Sequence, residues 1–283
     1  MINVLISLTT VSEVGEALCQ HPKISKVSFT GSTRVGKLLM QQCAGTLKKL
    51  SLELGGNSPF IVFDDAKMET ALDAIMLAKF RNSGQTCVTA NRIFVQKGIY
   101  QEFAKRLAER VKGLKVGCGT EECVVVGPLT HERAVEKARK HIEDAERLGG
   151  KVIHGGEEIG NTKGFFFQPT IIEYMNTSML MTREEVFAPV LGLYEFETEE
   201  EVLRLANDCD VGLGSFVITE NLARSWRVAE GLEVGMVGVN VGMLSACESP
   251  FGGVKGSGFG REGGTQGIEE YLVTKSMLVG VGG

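Results

Sequence analysis

Two hydrophobic periodicities alternate along the chain. Apolar residues at every second position, or in short unbroken runs, predict β-strands near residues 24–29, 50–54, 60–63 and 92–95. Apolar residues spaced three or four positions apart predict helices over 12–19, 35–44, 71–80, 103–111 and 132–148. The same alternation of strands and helices returns between Leu191 and Val239. Repeated strand–helix units predict an α/β fold with a largely parallel sheet.

Two segments carry more specific expectations. Asp64 or Asp65 follows the apolar strand, and we expect one of them to cap the helix that carries residues 71–80. The last stretch, 271–279, is predicted to be an edge strand or a tail that docks elsewhere.

Composition narrows the class of protein. Hydrophobic residues make up 43% of the 283 residues and charged residues 23%, proportions typical of a soluble folded protein. Lys and Arg total 30 against 35 Asp and Glu, a mildly acidic balance that gives no electrostatic footprint for nucleic acid. No apolar run approaches the roughly 20 residues that span a membrane. Residues 1–8 lack the basic region of a signal peptide, so we expect a cytoplasmic protein, with the mitochondrial matrix as the open alternative.

The seven cysteines are an odd number and are scattered, which favours a reducing compartment over a disulfide framework. Cys118 and Cys123 lack a second Cys or His pair at zinc spacing, so no metal site is expected. Six cysteines are interpreted as small buried apolar residues: Cys19, Cys43, Cys118, Cys123, Cys209 and Cys247.

Cys87 has a different setting. It ends the polar, glycine-containing segment 80–87, which follows an apolar helix. At the start of a helix, backbone N–H groups would stabilise its thiolate. No His lies near it in sequence, so a Cys–His protease has no local support. Cys87 is therefore the candidate nucleophile.

Glu53 lies between Leu52 and Leu54 at the end of a predicted strand, directly before Gly55-Gly56. An exposed carboxylate on the polar face of the strand is one interpretation. Alternatively, since open α/β sheets bind ligands at the carboxyl ends of strands, Glu53 could lie in a partly desolvated cleft as a general base.

A glycine-rich turn from Gly31 to Lys37 follows a strand, opens a helix and matches the phosphate-binding pattern G-x-x-x-x-G-K. Asp64 ends a strand and resembles the acidic residue that holds Mg²⁺ in nucleotide hydrolases. Those enzymes need Ser or Thr after the lysine, and this chain has Leu38. A turn that packs helix on strand, or a helix N-terminus that faces a dinucleotide pyrophosphate, therefore ranks ahead of the hydrolase.

Five short motifs occur in order, and together they are far more specific than any one alone: Phe29-Thr30-Gly31-Ser32, Glu53-Leu54-Gly55-Gly56, Gly84-Gln85-Thr86-Cys87, Glu185-Val186-Phe187 and Pro250-Phe251-Gly252-Gly253. On these motifs the chain resembles the aldehyde dehydrogenase superfamily over essentially its whole length. Within the superfamily, segments 80–87 and 233–240 are most similar to succinate-semialdehyde dehydrogenases. The resemblance implies an α/β fold with a partial dinucleotide-binding domain plus a complete catalytic domain.

The resemblance also implies a covalent mechanism. Cys87 would attack the aldehyde to form a thiohemiacetal, hydride would pass to the nicotinamide, and Glu53 would activate the water that hydrolyses the resulting thioester. The implied reaction is oxidation of succinate semialdehyde to succinate, in 4-aminobutyrate breakdown, with either NAD or NADP as cofactor. The residues implied to bind the cofactor are Gly31, Ser32, Thr33, Gly36, Leu54, Glu185 and Phe187.

Two further residues are candidates for binding the substrate. Arg81 lies six residues before Cys87, and a guanidinium there suits the distal carboxylate of a short aldehyde. Ser245 precedes the Pro250 turn and matches the family's substrate-binding serine. The alternative for Arg81 is a helix cap or a surface pair with Asp73 or Glu69, which would not affect specificity.

Family members carry a long N-terminal segment before the point at which this sequence begins. We therefore expect residues 1–56 to be the C-terminal part of a cofactor-binding domain, 57–255 to be the catalytic domain, and 256–283 to be a tail that returns to the cofactor domain or an oligomer interface. A homo-oligomer, dimer or tetramer, is implied. Two alternatives stay open: a catalytically weak or dead subunit that keeps the assembly surface, and an aldehyde dehydrogenase of another substrate.

Overall fold

The computed structural model describes residues 2–160 and 163–282. Its helices are α1 (Val11–Gln20), α2 (Thr33–Ala44), α3 (Met68–Phe80), α4 (Tyr100–Lys112), α5 (Glu132–Arg147), α6 (Glu199–Asn207), α7 (Leu222–Gly231) and α8 (Gln266–Glu269). Its strands are β1 (Lys26–Thr30), β2 (Lys49–Glu53), β3 (Ser58–Val62), β4 (Ala90–Gln96), β5 (Lys115–Val116), β6 (Val124–Val126), β7 (Lys151–His154), β8 (Thr170–Glu173), β9 (Val190–Phe196), β10 (Val211–Gly212), β11 (Gly214–Ile218), β12 (Met236–Val239), β13 (Val254–Lys255) and β14 (Gly258–Phe259). Short 3₁₀ segments cover Arg81–Gly84, Lys97–Ile99 and Leu180–Thr182. Within this described part of the chain, no helix is long and apolar enough to cross a membrane.

The largest sheet has seven strands in the order β12-β11-β3-β4-β9-β8-β7, and every neighbouring pair is parallel except β7 with β8. Strands β3, β8 and β11 are buried at every position, since a parallel sheet is covered on both faces, and this explains the apolar runs that end β3 and β11. Helices α3 and α4 pack on one face around Phe60 and Phe103. Helices α5, α6 and α7 pack on the other face around Phe63 and Phe196.

A smaller sheet of three strands, β1-β2-β14, lies beside the first. Strands β1 and β2 are parallel, whereas β14 runs antiparallel to β2 and places Gly258 opposite Glu53. Helices α1 and α2 cover this sheet through a small core of Cys19, Leu39 and Cys43. The chain beyond residue 256 thus returns to the strand that carries Glu53.

The predicted helices and strands of the first 148 residues are confirmed, with ends that shift by up to three residues. The capping prediction is wrong, because α3 begins after Lys67, which makes no side-chain cap. Asp65 instead accepts a hydrogen bond from the hydroxyl of Thr219 at 2.8 Å and pairs with Arg224 at 3.0 Å. These tertiary partners hold it beyond β3, away from the helix end.

Residues 271–279 form no strand, so the edge-strand expectation is wrong. Docking is seen at the start of the segment, where the hydroxyl of Tyr271 lies 3.1 Å from that of Ser28 and its ring lies 4.8 Å from the Lys26 ammonium. Val273 and Leu278 are almost fully exposed.

Three of the six cysteines interpreted as small buried apolar residues are buried in the structure. Cys19, Cys43 and Cys209 are buried, as expected for small apolar residues. The interpretation is wrong for three others, which lie exposed on loops: Cys118, Cys123 and Cys247. All seven thiols are free in the described structure.

Candidate active site

One cavity of about 670 Å³ lies where the carboxyl ends of β1 and β2 meet the loop that enters β4. The structure brings seven of the residues predicted from the sequence to its wall: Gly31, Ser32, Glu53, Leu54, Cys87, Glu185 and Phe187. Four other predicted residues are not among those that line it: Thr33, Gly36, Arg81 and Ser245. We call this space the site cavity.

Cys87 lies in a turn and not at a helix start, which corrects the expectation from the sequence. The Thr89 N–H donates to the Thr86 carbonyl at 3.1 Å and closes the turn. Upstream, Asn82 and Ser83 both have a left-handed φ, of 52° and 57°. Such a backbone costs about 1–3 kcal/mol per residue and persists where the surroundings over-determine it, as at many functional sites.

Contacts from outside the turn hold this strained segment in place. The Ser83 hydroxyl donates to the Gly127 carbonyl at 2.9 Å. At Gly84, which also has a positive φ, a Cβ would overlap the Ala188 carbonyl oxygen. A Cβ on Gly56 would likewise overlap the carbonyl oxygen of Cys87. Glycine is required at both positions because two other backbone segments approach the cysteine turn this closely.

Cys87 is partly exposed to the site cavity. Burial raises the pKa of its thiol, and the nearby carboxyl groups of Glu185 and Glu53 raise it further. The N–H groups of Cys87 and Val88 act in the opposite direction and lower this pKa. The thiol is therefore protonated near neutral pH and needs a base when it attacks.

Glu53 is only 5% exposed, so the interpretation as an exposed carboxylate at a strand end is wrong. Neither carboxyl oxygen has a hydrogen-bond partner among the described residues. Burial raises the pKa of Glu53 to about 7, the negative charge of Glu262 adds to this shift, and the Arg261 guanidinium opposes it. A carboxyl group with this pKa can take up and release a proton near neutral pH.

The other residues predicted to bind the cofactor lie at the start of α2 and in the segment that contains Glu185 and Phe187. Ser32 caps α2 by accepting the Val35 N–H, and Gly31 and Ser32 line the cavity at the start of this helix. Glu185 Oε1 accepts the Gly56 N–H at 3.4 Å, and burial raises the pKa of this carboxyl to about 7. Phe187 is partly exposed, with a left-handed φ of 58°.

Thr33 and Gly36 shape the site from behind. The Thr33 hydroxyl donates to the Gly256 carbonyl at 3.0 Å. A Cβ on Gly36 would lie 2.6 Å from a methyl group of Leu54, so glycine lets α2 pack directly on that side chain. They support the wall of the cavity and do not line it.

The nucleotide-hydrolase interpretation does not fit the structure. Asp64 lies past the carboxyl end of β3, whereas the Gly31 turn shares a cavity with Gly55, which precedes the amino end of that strand. The Asp64 carboxylate is 3.8 Å from the Arg224 guanidinium. Its charge is therefore placed at the opposite end of the sheet from the glycine-rich turn.

Arg81 and Ser245 do not meet in the site cavity. Arg81 is exposed and has no ion pair or hydrogen bond among the described residues. The surface-pair alternative is wrong in its partners, because Glu69 and Asp73 pair with Arg106 and Arg110.

Ser245 lines a neighbouring cavity of about 420 Å³ together with Phe251 and Glu262. The negative charge of Glu262 also raises the pKa of Glu53, which lines the site cavity.

Sequence reasoning missed several residues that shape the site. Arg133 and Lys137 line the cavity from one face of α5, and their four-residue spacing was the available signal. Arg261 and Glu262 flank Glu53 only because β14 returns to β2. Lys79 is fully buried in a helix whose other core positions are apolar.

The sequence matches the Aldehyde dehydrogenase family over residues 1–277. The chain therefore belongs to the aldehyde dehydrogenase family. This confirms the resemblance that the five ordered motifs indicated.

Curated relatives define a narrower group. The chain is 50% identical over 279 residues to a probable succinate-semialdehyde dehydrogenase [NADP(+)] of Sinorhizobium fredii, covering 98% of this chain and 57% of the relative. It is 49% identical to a 3-sulfolactaldehyde dehydrogenase of Pseudomonas putida, covering 96% and 56%. It is 48% identical to a glutarate-semialdehyde dehydrogenase of the same species, covering 98% and 58%. The chain thus spans about half the length of the curated relatives it matches.

Solved structures agree in fold. An aldehyde dehydrogenase from Brucella melitensis biovar abortus superposes with a TM-score of 0.91 at 55% identity, covering 93% of this chain and 54% of that one. A betaine aldehyde dehydrogenase from Staphylococcus aureus, crystallised with NAD⁺, gives a TM-score of 0.89 at 38% identity, covering 93% and 53%. These matches confirm the predicted aldehyde dehydrogenase-like α/β fold.

Proposed function

We propose that this chain provides the catalytic centre of an NAD(P)-dependent aldehyde dehydrogenase, with Cys87 as nucleophile and Glu53 as general base. The observation that carries the proposal is the convergence of one thiol, the buried carboxyl of Glu53 and the partly buried carboxyl of Glu185 on a single cavity. The pKa values of both carboxyl groups, about 7, allow them to change protonation near neutral pH. The family membership supports the same assignment.

The residues act in sequence on a bound aldehyde. The Cys87 thiol loses its proton to solvent, and the sulfur bonds to the carbonyl carbon, whose oxygen becomes an alkoxide. The Cys87 N–H would donate to the oxygen that gains charge in this step. After oxidation the product is a thioester of Cys87. Glu53 then takes a proton from water, the resulting hydroxide attacks the thioester, and the Cys87 thiolate leaves as the carboxylic acid is released.

The nicotinamide cofactor, when bound, accepts the hydride that converts the thiohemiacetal into the thioester. The residues present fit its nicotinamide end. Gly55 leaves room beside Glu185, where a Cβ would lie 3.0 Å from Oε2, and that oxygen can accept ribose hydroxyls. Gly31 and Ser32 present the α2 N-terminus, which suits a phosphate.

The substrate we propose is a short aldehyde with an anionic group at its far end, and succinate semialdehyde is the first choice. Three relatives are named for succinate semialdehyde, glutarate semialdehyde and 3-sulfolactaldehyde, which all carry such a group. Arg81 is an exposed guanidinium without an ion-pair partner in the described structure, at the entrance to the Cys87 turn. It is therefore available to pair with the carboxylate or sulfonate.

The test uses a fused chain, in which this sequence is preceded by the part of the Sinorhizobium fredii relative that lies ahead of the matched region. The activity of the fused chain is measured with two aldehydes. Succinate semialdehyde and butanal have the same carbon chain, and only the first has a carboxylate. Reduction of NAD⁺ or NADP⁺ with succinate semialdehyde, lost in Cys87→Ala, is the expected result. No reduction in a folded fusion would contradict the proposal.

The Arg81→Ala variant tests whether Arg81 binds the distal carboxylate of the substrate. We expect kcat/KM for succinate semialdehyde to fall by roughly 30-fold or more, since a desolvated charge pair contributes about 2–5 kcal/mol. Butanal should be nearly unaffected. Equal losses on both aldehydes would assign Arg81 to positioning the Cys87 turn, and the substrate would then be a different aldehyde.

A further inference from the structure

Lys79 is a fully buried lysine, with 0% of its surface exposed, on the inner face of α3. Lysine is almost never fully buried unless its charge is paired or its amine is held by hydrogen bonds. Its Nζ donates to Asn91 Oδ1 at 2.8 Å, the contact that fixes its position. The proposed chemical steps do not use this residue, so its burial needs another explanation.

Two asparagines extend this contact toward the site. Asn91 Nδ2 donates to Asn57 Oδ1 at 3.2 Å. Asn57 Nδ2 in turn donates to the carbonyls of Met181 and Thr182, at 3.1 Å and 3.2 Å. Both asparagines are buried, so the network excludes water and its geometry is well determined.

The network joins the three segments that carry the site. Asn57 directly follows Gly56, whose N–H donates to Glu185. Thr182 lies three residues before Glu185 on the opposing segment. Asn91 lies four residues after Cys87, at the start of β4. The network therefore links the segment before Glu185 to the strand that follows Cys87.

Lys79 is also coupled to Glu185 electrostatically. Burial lowers the pKa of Lys79 to about 7, and the Glu185 charge acts in the opposite direction. Burial raises the pKa of Glu185 to about 7, whereas the Gly56 N–H, Lys137 on α5 and Lys79 lower it.

The other charged groups at this position lie on α5 and on the two loops. Cys87 faces Glu185 from the nucleophile turn. His141 is buried on α5, its pKa is lowered to about 4 by burial and by Lys137, Lys140 and Lys79, and Glu184 lies 4.0 Å from its ring. Asp144, also on α5, raises the pKa of His141. Lys79 and Lys137 are therefore the two cations that act on Glu185.

We propose that Lys79 is a positioning residue for cofactor binding: through Asn91 and Asn57 it orients Glu185, and it is one of the two cations that favour the charged carboxylate. The inference rests on the proposed function, because it takes Glu185 as the acceptor of ribose hydroxyls. A ribose hydroxyl can donate to a carboxylate, so cofactor affinity should follow the ionisation of Glu185.

The test measures the dissociation constant of NADP⁺ by calorimetry in the fused chain between pH 6 and 9. In Lys79→Met we expect it to rise about twofold at pH 7 and to match the parent at pH 9, because loss of this cation raises the pKa of Glu185 and the carboxyl is ionised in both proteins at high pH. Lys79→Gln, which can still donate to Asn91, should show the same pH-dependent change and serves if Lys79→Met does not fold. Lys105→Met, at an exposed position on α4, is the matched control and should change nothing.

The Glu185→Gln variant distinguishes the proposed role of Glu185 in cofactor binding from the proposed role of Lys79. If Glu185→Gln binds NADP⁺ as tightly as the parent at every pH, Glu185 does not hold the cofactor and the proposed role of that residue fails. If Glu185→Gln weakens binding but Lys79→Met matches the parent, only the inference about Lys79 fails. A loss in Lys79→Met that is equal at every pH would also overturn it, because a purely structural defect does not follow a carboxyl ionisation.

Discussion

The burial of Glu53 lowers the stability of the folded protein when its carboxyl group is ionised. Its carboxyl is buried, and both oxygens lack hydrogen-bond partners in the described structure. Burial raises its pKa from the ordinary 4.5 to about 7, so the folded protein binds this proton more tightly than the unfolded chain does. Stability should therefore fall as pH rises from about 4.5 to 7, and the full penalty remains above pH 7.

Glu53→Gln should remove this pH-dependent penalty. We expect the variant to gain free energy of unfolding relative to the parent, with a gain at pH 8.5 that exceeds the gain at pH 5 by about 2 kcal/mol. Urea unfolding of the 283-residue chain at both pH values measures it. Glu195→Gln, at an exposed position on β9, is the control and should show no such difference. A gain that is the same at both pH values would contradict the account of Glu53 burial.

At the scale of elements, the short strand β14 determines the surroundings of Glu53. Gly258 lies opposite Glu53 in the antiparallel pair with β2, with a φ of +101°. Ser257 adds a second tie, since its hydroxyl donates to the Gly55 carbonyl at 2.7 Å. This pairing brings Arg261 and Glu262 to the carboxyl whose pKa they modify.

Gly258→Ala should break this pairing. A Cβ at this position would overlap the Leu52 carbonyl oxygen, and alanine is strained at this φ. We expect a loss of about 2–4 kcal/mol in the free energy of unfolding and faster amide exchange across residues 256–262. Gly119→Ala is the control, because a Cβ there meets no atom within 4 Å. Equal stability of the two variants would show that β14 is dispensable.

The helices and strands could be predicted because each one buries a face, and a buried face produces a hydrophobic periodicity within a short stretch of sequence. The alternation in β2 predicted a polar outer face, yet Ser51 is buried because Glu270 accepts its hydroxyl at 2.9 Å. That contact joins residues 219 positions apart, so no local pattern contains it.

The residues of the site likewise could be predicted only where the local sequence marks them. Cys87 and Glu53 could be singled out because each is a polar residue in an apolar or glycine-rich setting. Glu262 could not, since its proximity to Glu53 depends on the return of β14. Lys79 could not either, since its burial depends on Asn91 and on packing between α3 and the large sheet.

At the scale of the whole molecule, most of the residues that we propose for the cofactor line one cavity, and we assign them to the nicotinamide end of the dinucleotide. The chain also spans 57% of the length of its Sinorhizobium fredii relative. Affinity for a dinucleotide depends on contacts along its whole length, and these residues account for only part of them.

The 283-residue chain alone should therefore bind NAD⁺ and NADP⁺ weakly, with a dissociation constant of roughly 100 µM or more. The fused chain should bind at least one of them about tenfold more tightly. Calorimetric titration of both proteins checks this. Micromolar binding by the 283-residue chain would show that the contacts at the site cavity suffice.

The most direct test of the central claim, that Cys87 is acylated and Glu53 drives deacylation, needs no cofactor. p-Nitrophenyl acetate acylates a reactive thiol and releases a coloured product, so stopped-flow measurement on the 283-residue chain separates a burst from the steady state. Exposed Cys118, Cys123 and Cys247 are first replaced by serine to remove competing thiols. The account predicts a burst of one product per chain, its loss in Cys87→Ala, and in Glu53→Gln a retained burst with a steady-state rate about 100-fold lower. A burst that survives Cys87→Ala, or a Glu53→Gln variant with an unchanged steady state, would contradict it.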